Sequence, residues 1–245
     1  MVSQQSETGE HDAVNRTAAP LRRSVVEALR QSIVHGRLAP GARLIERELI
    51  EMMGVSRTVL REALRQLEAE KLIDVVPNKG AVVRNLSRAE AEDLYSIRAA
   101  LEGLAARLVT ERGNDGTRKA LSAALAETVK AYEDKNPQTI VASKNTFYEI
   151  LFRGADSETL SAMIGSLQAR VWRWRVLGLA HPLRSDRRSA ETIENLRALV
   201  RAIEDGNAAL AERIARDEVT NAASEALRLL AEDAPEASPA GSSQA

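Results

Sequence analysis

The chain of 245 residues contains no cysteine, which excludes disulfide bonds and thiol chemistry. Histidine is scarce as well, because only His11, His35 and His181 occur. There is no phosphate-binding Gly-x-x-x-x-Gly-Lys loop, no Gly-x-Ser-x-Gly elbow, no His-Glu-x-x-His helix and no dinucleotide fingerprint. With the usual nucleophiles and bases so rare, we expect that the protein is not an enzyme.

Long hydrophobic runs are also absent from the sequence. No apolar stretch approaches the length of a membrane span, and residues 1–20 lack the basic start and apolar stretch of a signal peptide. We therefore expect a soluble, cytoplasmic protein without a membrane partner. Residues 1–20 are polar and acidic, and residues 233–245 are rich in Ala, Pro and Ser, so both segments are predicted to be disordered.

The most distinctive segment is Gly54-Val-Ser-Arg-Thr-Val-Leu-Arg-Glu-Ala-Leu-Arg65. If Ser56 caps a helix that begins at Arg57, Arg57, Arg61 and Arg65 recur every four positions and form one basic ridge. The adjoining face is apolar and consists of Leu60, Ala63, Leu64 and Leu67. This pattern is typical of a DNA recognition helix, because one face of such a helix packs on a core while arginines on the other face contact phosphates and bases. Taken alone, the segment also fits an ordinary amphipathic surface helix.

The flanking segments favour the first interpretation. Apolar periodicity predicts two earlier helices, Leu21–Val34 and Leu44–Met53, and Gly54 is suited to end the second. The β-branched runs Ile73–Val76 and Ala81–Arg84 flank a Pro-Asn-Lys-Gly turn and predict a hairpin. Three helices followed by a hairpin make a winged helix-turn-helix, here over residues 21–86.

The charge distribution agrees with a DNA-binding N-terminal domain. Residues 21–86 carry 12 Lys or Arg against 8 Asp or Glu, a net charge of +4, and the rest of the chain carries −5. Such a modest positive charge gives only weak nonspecific attraction to DNA. We therefore expect a homodimer that doubles its contacts on double-stranded DNA with an inverted-repeat operator.

Residues 88–232 differ in composition from the N-terminal segment. They are rich in Ala and Leu, and their apolar residues recur with helical periodicity over long stretches. These predict an all-α bundle. The first helix shows an apolar seam that we expect to face the core: Leu94, Ile97, Leu101, Leu104 and Leu108. The predicted fold class is thus mainly α, with a winged helix-turn-helix joined to a helical bundle through Leu86–Arg88.

Residues 21–86 resemble the DNA-binding domain of the GntR family of bacterial transcription regulators. The resemblance is carried by Gly36–Leu44, Val55–Glu68 and Pro77–Val83. It implies DNA contacts from Arg47, Ser56, Arg57, Thr58, Arg61, Asn78 and Lys79. We assign base reading to Arg57 and Arg61, and a minor-groove or backbone contact to Lys79. Phosphate contacts are expected from Arg47, Ser56 and Thr58.

Residues 88–232 resemble the FCD domain of the FadR subgroup of that family. The resemblance is carried by Asp93–Arg107, Asn145–Leu151 and Arg197–Asn207. It implies a small-molecule effector, such as an organic acid, inside the bundle, and pairing of two chains. We expect a sequence-specific transcription regulator, with repression favoured, whose operator affinity depends on that effector. The alternative is a constitutive or architectural DNA-binding protein without an effector response.

Many FCD domains hold a divalent metal through one Asp and three His, but this chain departs from that pattern. The corresponding positions carry Lys144, Tyr148, Leu196 and Glu218. We therefore predict no metal and no cofactor. Helical spacing predicts that Lys144 and Glu218 face the interior of the bundle. In one interpretation the two charges stay buried, either paired with each other at the position of the metal or with Lys144 bound to an acidic effector. In the other, both long side chains reach solvent.

The candidate effector-binding residues are Arg98, Glu102, Lys144, Asn145, Tyr148 and Glu218. Arg98 and Glu102 lie four residues apart and can equally form a surface ion pair. Trp172 and Trp174 cannot share one helix face. We expect one tryptophan in the core or a dimer interface and the other half exposed.

Overall fold

The computed structural model describes residues 8–34 and 36–233. The chain divides into two compact units, the first ending at Leu86 and the second beginning at Ser87. The fold is mainly α, as predicted, with one two-stranded sheet among the described residues. None of the helices in the described ranges is long and apolar enough to cross a membrane.

The N-terminal unit has the predicted order of three helices and a hairpin. Its elements are α1 (Thr8–Val34), α2 (Glu46–Met53), α3 (Arg57–Ala69), β1 (Ile73–Val76) and β2 (Gly80–Val83). Val26 and Leu29 of α1 pack inside this unit together with Leu60 and Leu67 of α3. The unit is therefore a small three-helix core with a β-hairpin wing.

The first helix is longer than the sequence predicted. It includes residues 8–20, for which we expected disorder, while residues 1–7 lie outside the described part of the chain. This stretch contains several alanines, which have the highest helix propensity. Pro20 lies inside the helix, and the hydroxyl of Ser24 donates to the carbonyl of Pro20 at 3.1 Å.

The predicted disordered tail, residues 233–245, lies outside the described residues except for Asp233.

The wing is an antiparallel hairpin with register Ile73↔Val83 to Val76↔Gly80. Its turn is closed by the amide of Lys79, which donates to the carbonyl of Val76 at 3.0 Å. Asn78 has a φ of 64°, the left-handed conformation that a type II turn requires at its third position, and Pro77 suits the second position of such a turn. The tip therefore holds Asn78 and Lys79 in an ordered turn.

The C-terminal unit is an all-α bundle, as predicted. Its helices are α4 (Arg88–Arg112), α5 (Asp115–Glu133), α6 (Pro137–Gly154), α7 (Glu158–Ala180), α8 (Asp186–Glu204) and α9 (Ala208–Asp233). Ser87, the first residue of the C-terminal unit, caps α4 in a capping box with Glu90. Phe147, Leu151 and Ile164 are fully enclosed in the bundle core.

The face that α4 buries differs from the expected apolar seam. Leu94 is buried, but Ile97 is 49% exposed and Leu104 is 38% exposed. The buried face carries smaller residues, because α4 packs closely against α9. At Gly103 an added side-chain carbon would lie 3.1 Å from the carbonyl oxygen of Glu212, so only glycine fits this approach without displacement.

Candidate DNA-binding surface and effector cavity

The recognition helix begins where the sequence predicted. The hydroxyl of Ser56 accepts a hydrogen bond from the amide of Val59 at 3.3 Å, which caps α3. Gly54 ends α2 in the left-handed conformation with a φ of 63°. Because Leu60 and Leu67 are fully buried, the opposite face of α3 is held toward solvent.

All seven predicted DNA-contacting residues are exposed in the structure. Arg47 lies on α2, and Ser56 caps the helix that carries Arg57, Thr58 and Arg61. Asn78 and Lys79 form the tip of the wing. The exposed positions on α2, α3 and the wing leave these side chains available to a partner, which contact with DNA would require.

Arg61 is engaged by a residue that the sequence analysis did not single out. Its Nε donates to both carboxylate oxygens of Glu46, at 3.0 and 3.1 Å. Glu46 is the first residue of α2 and lies fifteen positions earlier in the chain, so this contact is not evident from helical spacing. The only sequence signal is an acidic residue in the first turn of α2, which also has the ordinary role of stabilising a helix N-terminus.

Not every arginine of the N-terminal unit is available to DNA. Arg30 donates to both carboxylate oxygens of Glu70, at 2.8 and 2.7 Å from Nη2, and is also paired with Glu27. These contacts connect α1 to the end of α3. Arg30 is therefore held within the N-terminal unit, whereas Arg47 and Arg57 are exposed on α2 and α3.

The C-terminal unit contains a narrow cavity of about 30 Å³, enough space for one or two water molecules. Its polar lining consists of Tyr95, Arg98, Lys144, Tyr148, Arg175, Arg184, Arg188 and Glu218. Five of these side chains are cations and one is a carboxylate. Four of the six predicted effector residues, Arg98, Lys144, Tyr148 and Glu218, thus meet at one cavity.

Lys144 and Glu218 form an ion pair inside the bundle. The Nζ of Lys144 donates to Oε1 of Glu218 at 3.1 Å, and the two residues are only 4% and 2% exposed. The alternative in which both side chains reach solvent is therefore wrong. Burial tends to raise the pKa of Glu218, but the nearby cations Lys144 and Arg188 and the amide of Asn195 outweigh it, so the pKa is lowered.

Two further donors complete the contacts of Glu218, and the sequence analysis missed both. Arg188 Nη2 and Asn195 Nδ2 donate to Oε2 of Glu218 at 3.2 and 2.9 Å. They lie seven positions apart and therefore on one face of α8. This spacing is the one feature of the sequence that indicates a shared role for Arg188 and Asn195. It does not show which residue of another helix the two side chains contact.

The interpretation of Arg98 and Glu102 as a surface pair is wrong. Nε of Arg98 donates to Glu102 at 2.6 Å, and both residues are buried. Burial opposes the charge of Arg98, but Glu102 favours it and raises its pKa above the ordinary value. Nη1 of Arg98 and Oε2 of Glu102 have no hydrogen-bond partner among the described residues. Glu102 holds Arg98 from outside the cavity lining.

Arg175 contributes a buried positive charge that makes no ion pair with a carboxylate among the described residues. Its Nη2 donates to Oδ1 of Asn145 at 3.1 Å, so Asn145 supports the lining without forming part of it. Burial, together with the like charge of Arg98, lowers the pKa of Arg175 to about 10. An anion beside Arg175 and Arg98 would relieve this repulsion.

Arg184 has a structural role at the same cavity. It donates to the carbonyl of Gly178 near the end of α7, to the hydroxyl of Ser189 at 3.2 Å and to the hydroxyl of Thr192 at 3.1 Å. These bonds join the end of α7 to α8.

The two tryptophans behave as expected, since Trp174 is buried and Trp172 is half-buried beside Arg175.

The residues at the former metal positions do not fit a divalent metal. Lys144 presents an ammonium group, Leu196 is packed in the apolar core, and Glu218 is already bound to two cations. Cationic nitrogens do not coordinate metal ions. Within the described ranges, no three His, Cys, Asp or Glu residues are grouped closely enough to hold one.

Comparisons with protein families match both units. The model of bacterial regulatory proteins of the gntR family matches residues 21–83, and the FCD domain model matches residues 93–221. The HTH-type transcriptional repressor RspR of Escherichia coli K12 is 30% identical over 162 residues, which cover 66% of this chain and 71% of that protein. The uncharacterized regulator YdhC of Bacillus subtilis is 33% identical over 124 residues, which cover 50% of this chain and 55% of that protein.

Solved structures show the same fold. E. coli McbR/YncC matches with a TM-score of 0.70 at 24% identity, over 87% of this chain and 98% of that one. A GntR regulator from Rhodococcus sp. RHA1 matches with a TM-score of 0.68 at 20% identity, over 84% and 97%. The chain therefore belongs to the GntR family of bacterial regulatory proteins, as a DNA-binding transcription regulator whose C-terminal unit is an FCD domain.

Proposed function

We propose that the chain is a homodimeric repressor that binds an inverted-repeat operator, and that a small organic acid bound in the C-terminal cavity controls its affinity for DNA. The proposal assigns binding and no catalysis to this chain, and its action on chromosomal DNA would place it in the cytoplasm. Repression is favoured because RspR of E. coli and a relative from Paenarthrobacter nicotinovorans are named as repressors.

In this proposal α3 enters the major groove. Arg57 and Arg61 read bases, since each guanidinium can donate two parallel hydrogen bonds to guanine. Arg47, Ser56 and Thr58 bind phosphates, and the wing tip with Asn78 and Lys79 reaches the minor groove or the backbone. The exposure of all seven side chains supports these roles.

The dimer is supported by the exposed apolar stripe of α4. Ile97 and Leu104 are exposed, and Leu101 and Leu108 between and beyond them are half-buried. These positions recur at intervals of four and three residues, the spacing by which one helix packs along another. We propose that α4 of a second copy covers this stripe.

The organic-acid effector is supported by the charge of the cavity. Nη1 of Arg98 and both Nε and Nη1 of Arg188 are buried without hydrogen-bond partners among the described residues. Unpaired buried donors cost free energy that an anionic ligand would recover. Because the cavity has space for only one or two waters, an effector of several heavy atoms has to displace side chains as it enters. Arg98 lies on α4, the helix that begins at the joint Leu86–Arg88, so its displacement would act on that helix.

The DNA-binding part is tested by gel-shift experiments with the DNA upstream of the protein's own gene. We expect selective binding in the presence of competitor DNA, and its loss in the Arg57→Ala/Arg61→Ala variant. If the variant retains selectivity, α3 does not read the operator. If the wild type binds all sequences equally, there and in an unbiased genomic selection, the architectural alternative holds instead.

The effector part is tested with Arg175→Gln. Arg175 makes no ion pair with a carboxylate among the described residues, so its replacement should leave the free energy of unfolding unchanged or slightly raised. The variant should nevertheless lose about tenfold in affinity for the acid that raises the thermal unfolding temperature of the wild type. The matched probe is the neutral amide of the same acid, which should not stabilise the wild type. Equal stabilisation by acid and amide would contradict an anionic effector.

A further inference from the structure

Glu46 has an unusual place for an acidic residue on a DNA-binding surface. A carboxylate there repels the phosphate backbone and lowers the affinity for any DNA sequence. Glu46 nevertheless lies at the start of α2 with its carboxylate against Arg61 of α3. Because only part of each side chain is covered, the pair contributes little to stability by itself.

The geometry of the pair leaves the reading end of Arg61 available. Both hydrogen bonds to Glu46 come from Nε, at 3.0 and 3.1 Å. The two terminal amino groups of Arg61 have no hydrogen-bond partner among the described residues, and the side chain is 55% exposed. A guanidinium anchored through Nε retains the Nη1 and Nη2 pair, which can bind O6 and N7 of a guanine together.

We propose that Glu46 is a positioning residue that fixes the guanidinium of Arg61 for guanine recognition, and thereby exchanges nonspecific DNA affinity for sequence discrimination. Arg61 would otherwise lose the freedom of its long side chain on binding, a loss that a preformed conformation reduces. Arg61 differs in this respect from Arg47 and Arg57, which are exposed on the same surface and for which the described residues provide no ion pair. The inference rests on the proposed role of α3 in reading DNA.

Glu48 provides a matched control for Glu46. It lies in the same first turn of α2, is exposed, and makes no hydrogen bond or ion pair with another described residue. Glu46→Gln and Glu48→Gln each remove one negative charge from the same helix end, so they should alter the helix dipole interaction and the repulsion of DNA to a similar extent. Only Glu46→Gln also weakens the anchor of Arg61.

The experiment measures dissociation constants of the full-length protein for the selected operator, for operators changed one base pair at a time, and for unrelated DNA. Arg61→Ala first identifies the guanine position, because discrimination should vanish there and persist elsewhere. We expect Glu46→Gln to reduce discrimination at that same position by about 3- to 10-fold, and to bind unrelated DNA more tightly. Glu48→Gln should tighten binding to both kinds of DNA and leave discrimination unchanged.

The double variant Glu46→Gln/Arg61→Ala separates positioning from general charge effects. If Glu46 acts through Arg61, the double variant should show the same discrimination as Arg61→Ala alone. Equal discrimination profiles for Glu46→Gln and Glu48→Gln would overturn the positioning role while leaving the proposed function intact. A wild type without any preferred sequence, or an Arg61→Ala variant with unchanged discrimination, would overturn both the role of Arg61 and this inference.

Discussion

Glu218 joins three helices of the C-terminal unit through its carboxylate. It lies on α9 and accepts hydrogen bonds from Lys144 on α6 and from Arg188 and Asn195 on α8. Glu218→Gln would leave two buried cations without a countercharge, which costs about 3–5 kcal/mol in the free energy of unfolding. Lys144→Met should cost less, about 1–3 kcal/mol, because Glu218 retains its two partners on α8. Denaturant unfolding at neutral pH measures this order, and a larger loss for Lys144→Met would contradict it.

The lowered pKa of Glu218 also predicts how stability depends on pH. The carboxylate is favoured in the folded protein, so its contribution is present above the ordinary value of 4.5 and is lost as the pH falls through the lower folded pKa. We therefore expect wild-type stability to fall below about pH 4.5 more steeply than that of Glu218→Gln. Glu225 also has a lowered pKa and contributes to both proteins, so the difference between the two curves is the relevant quantity. Parallel curves would show that folding does not lower the pKa of Glu218.

The wing tip allows conformation and contact to be separated. Asn78 adopts a positive φ that glycine accepts without strain and alanine does not. Asn78→Gly should therefore retain stability, whereas Asn78→Ala should lose about 1 kcal/mol. If the Asn78 side chain contacts DNA, both variants lose operator affinity. If only Asn78→Ala loses affinity, the residue shapes the turn and makes no contact of its own.

Local chemistry explains which elements could be predicted from the sequence. The start of α3 follows from Ser56, the end of α2 from Gly54, and the turn of the wing from its Pro-Asn-Lys-Gly residues, because each is decided within four residues. The buried face of α4 could not be predicted in this way. It depends on how closely α9 approaches Gly103, and that distance is set by residues more than a hundred positions later.

The same limit applies to the candidate site. Inward-facing Lys144 and Glu218 could be found from helical periodicity and from the resemblance to FCD domains. The partners of Glu218 could not be found in this way. Arg188 and Asn195 are two of many polar residues in the sequence of α8, and only the packing of α9 beside α8 brings them to Glu218. The pair of Glu46 and Arg61 is a further example. Arg61 could be singled out as a DNA-contacting residue, but Glu46 lies fifteen positions earlier and alone reads as an ordinary acidic residue at the start of a helix.

The two binding activities of the whole protein must be coupled if the proposed function is correct. An acid that lowers operator affinity by a given factor must itself bind more weakly, by the same factor, to the protein on its operator. We expect a factor of about 5 to 150, the usual range of coupling free energies of 1–3 kcal/mol. Titrating the acid into free protein and into the protein–operator complex measures both sides. An acid that binds equally to both states cannot be the regulatory effector.

Dimerisation through α4 can be tested without touching either binding site. Ile97→Glu/Leu104→Glu introduces two charges into the stripe that we expect a second copy to cover, which should convert the protein into a monomer of 26.7 kDa. Met163→Glu/Leu183→Glu is the matched control, since it replaces two exposed apolar residues elsewhere in the same unit. Sedimentation equilibrium distinguishes monomer from dimer.

The monomeric variant should also bind DNA more weakly, because one helix-turn-helix unit has half the contacts of a pair on an inverted repeat. Its affinity for a single half-site should equal that of the wild-type unit, whereas its affinity for the full operator should fall by at least tenfold at physiological salt. If the control variant dissociates instead, the interface includes α7 and its following loop. If neither variant dissociates and both retain full operator affinity, α4 does not form the interface, and the exposed stripe requires a different partner.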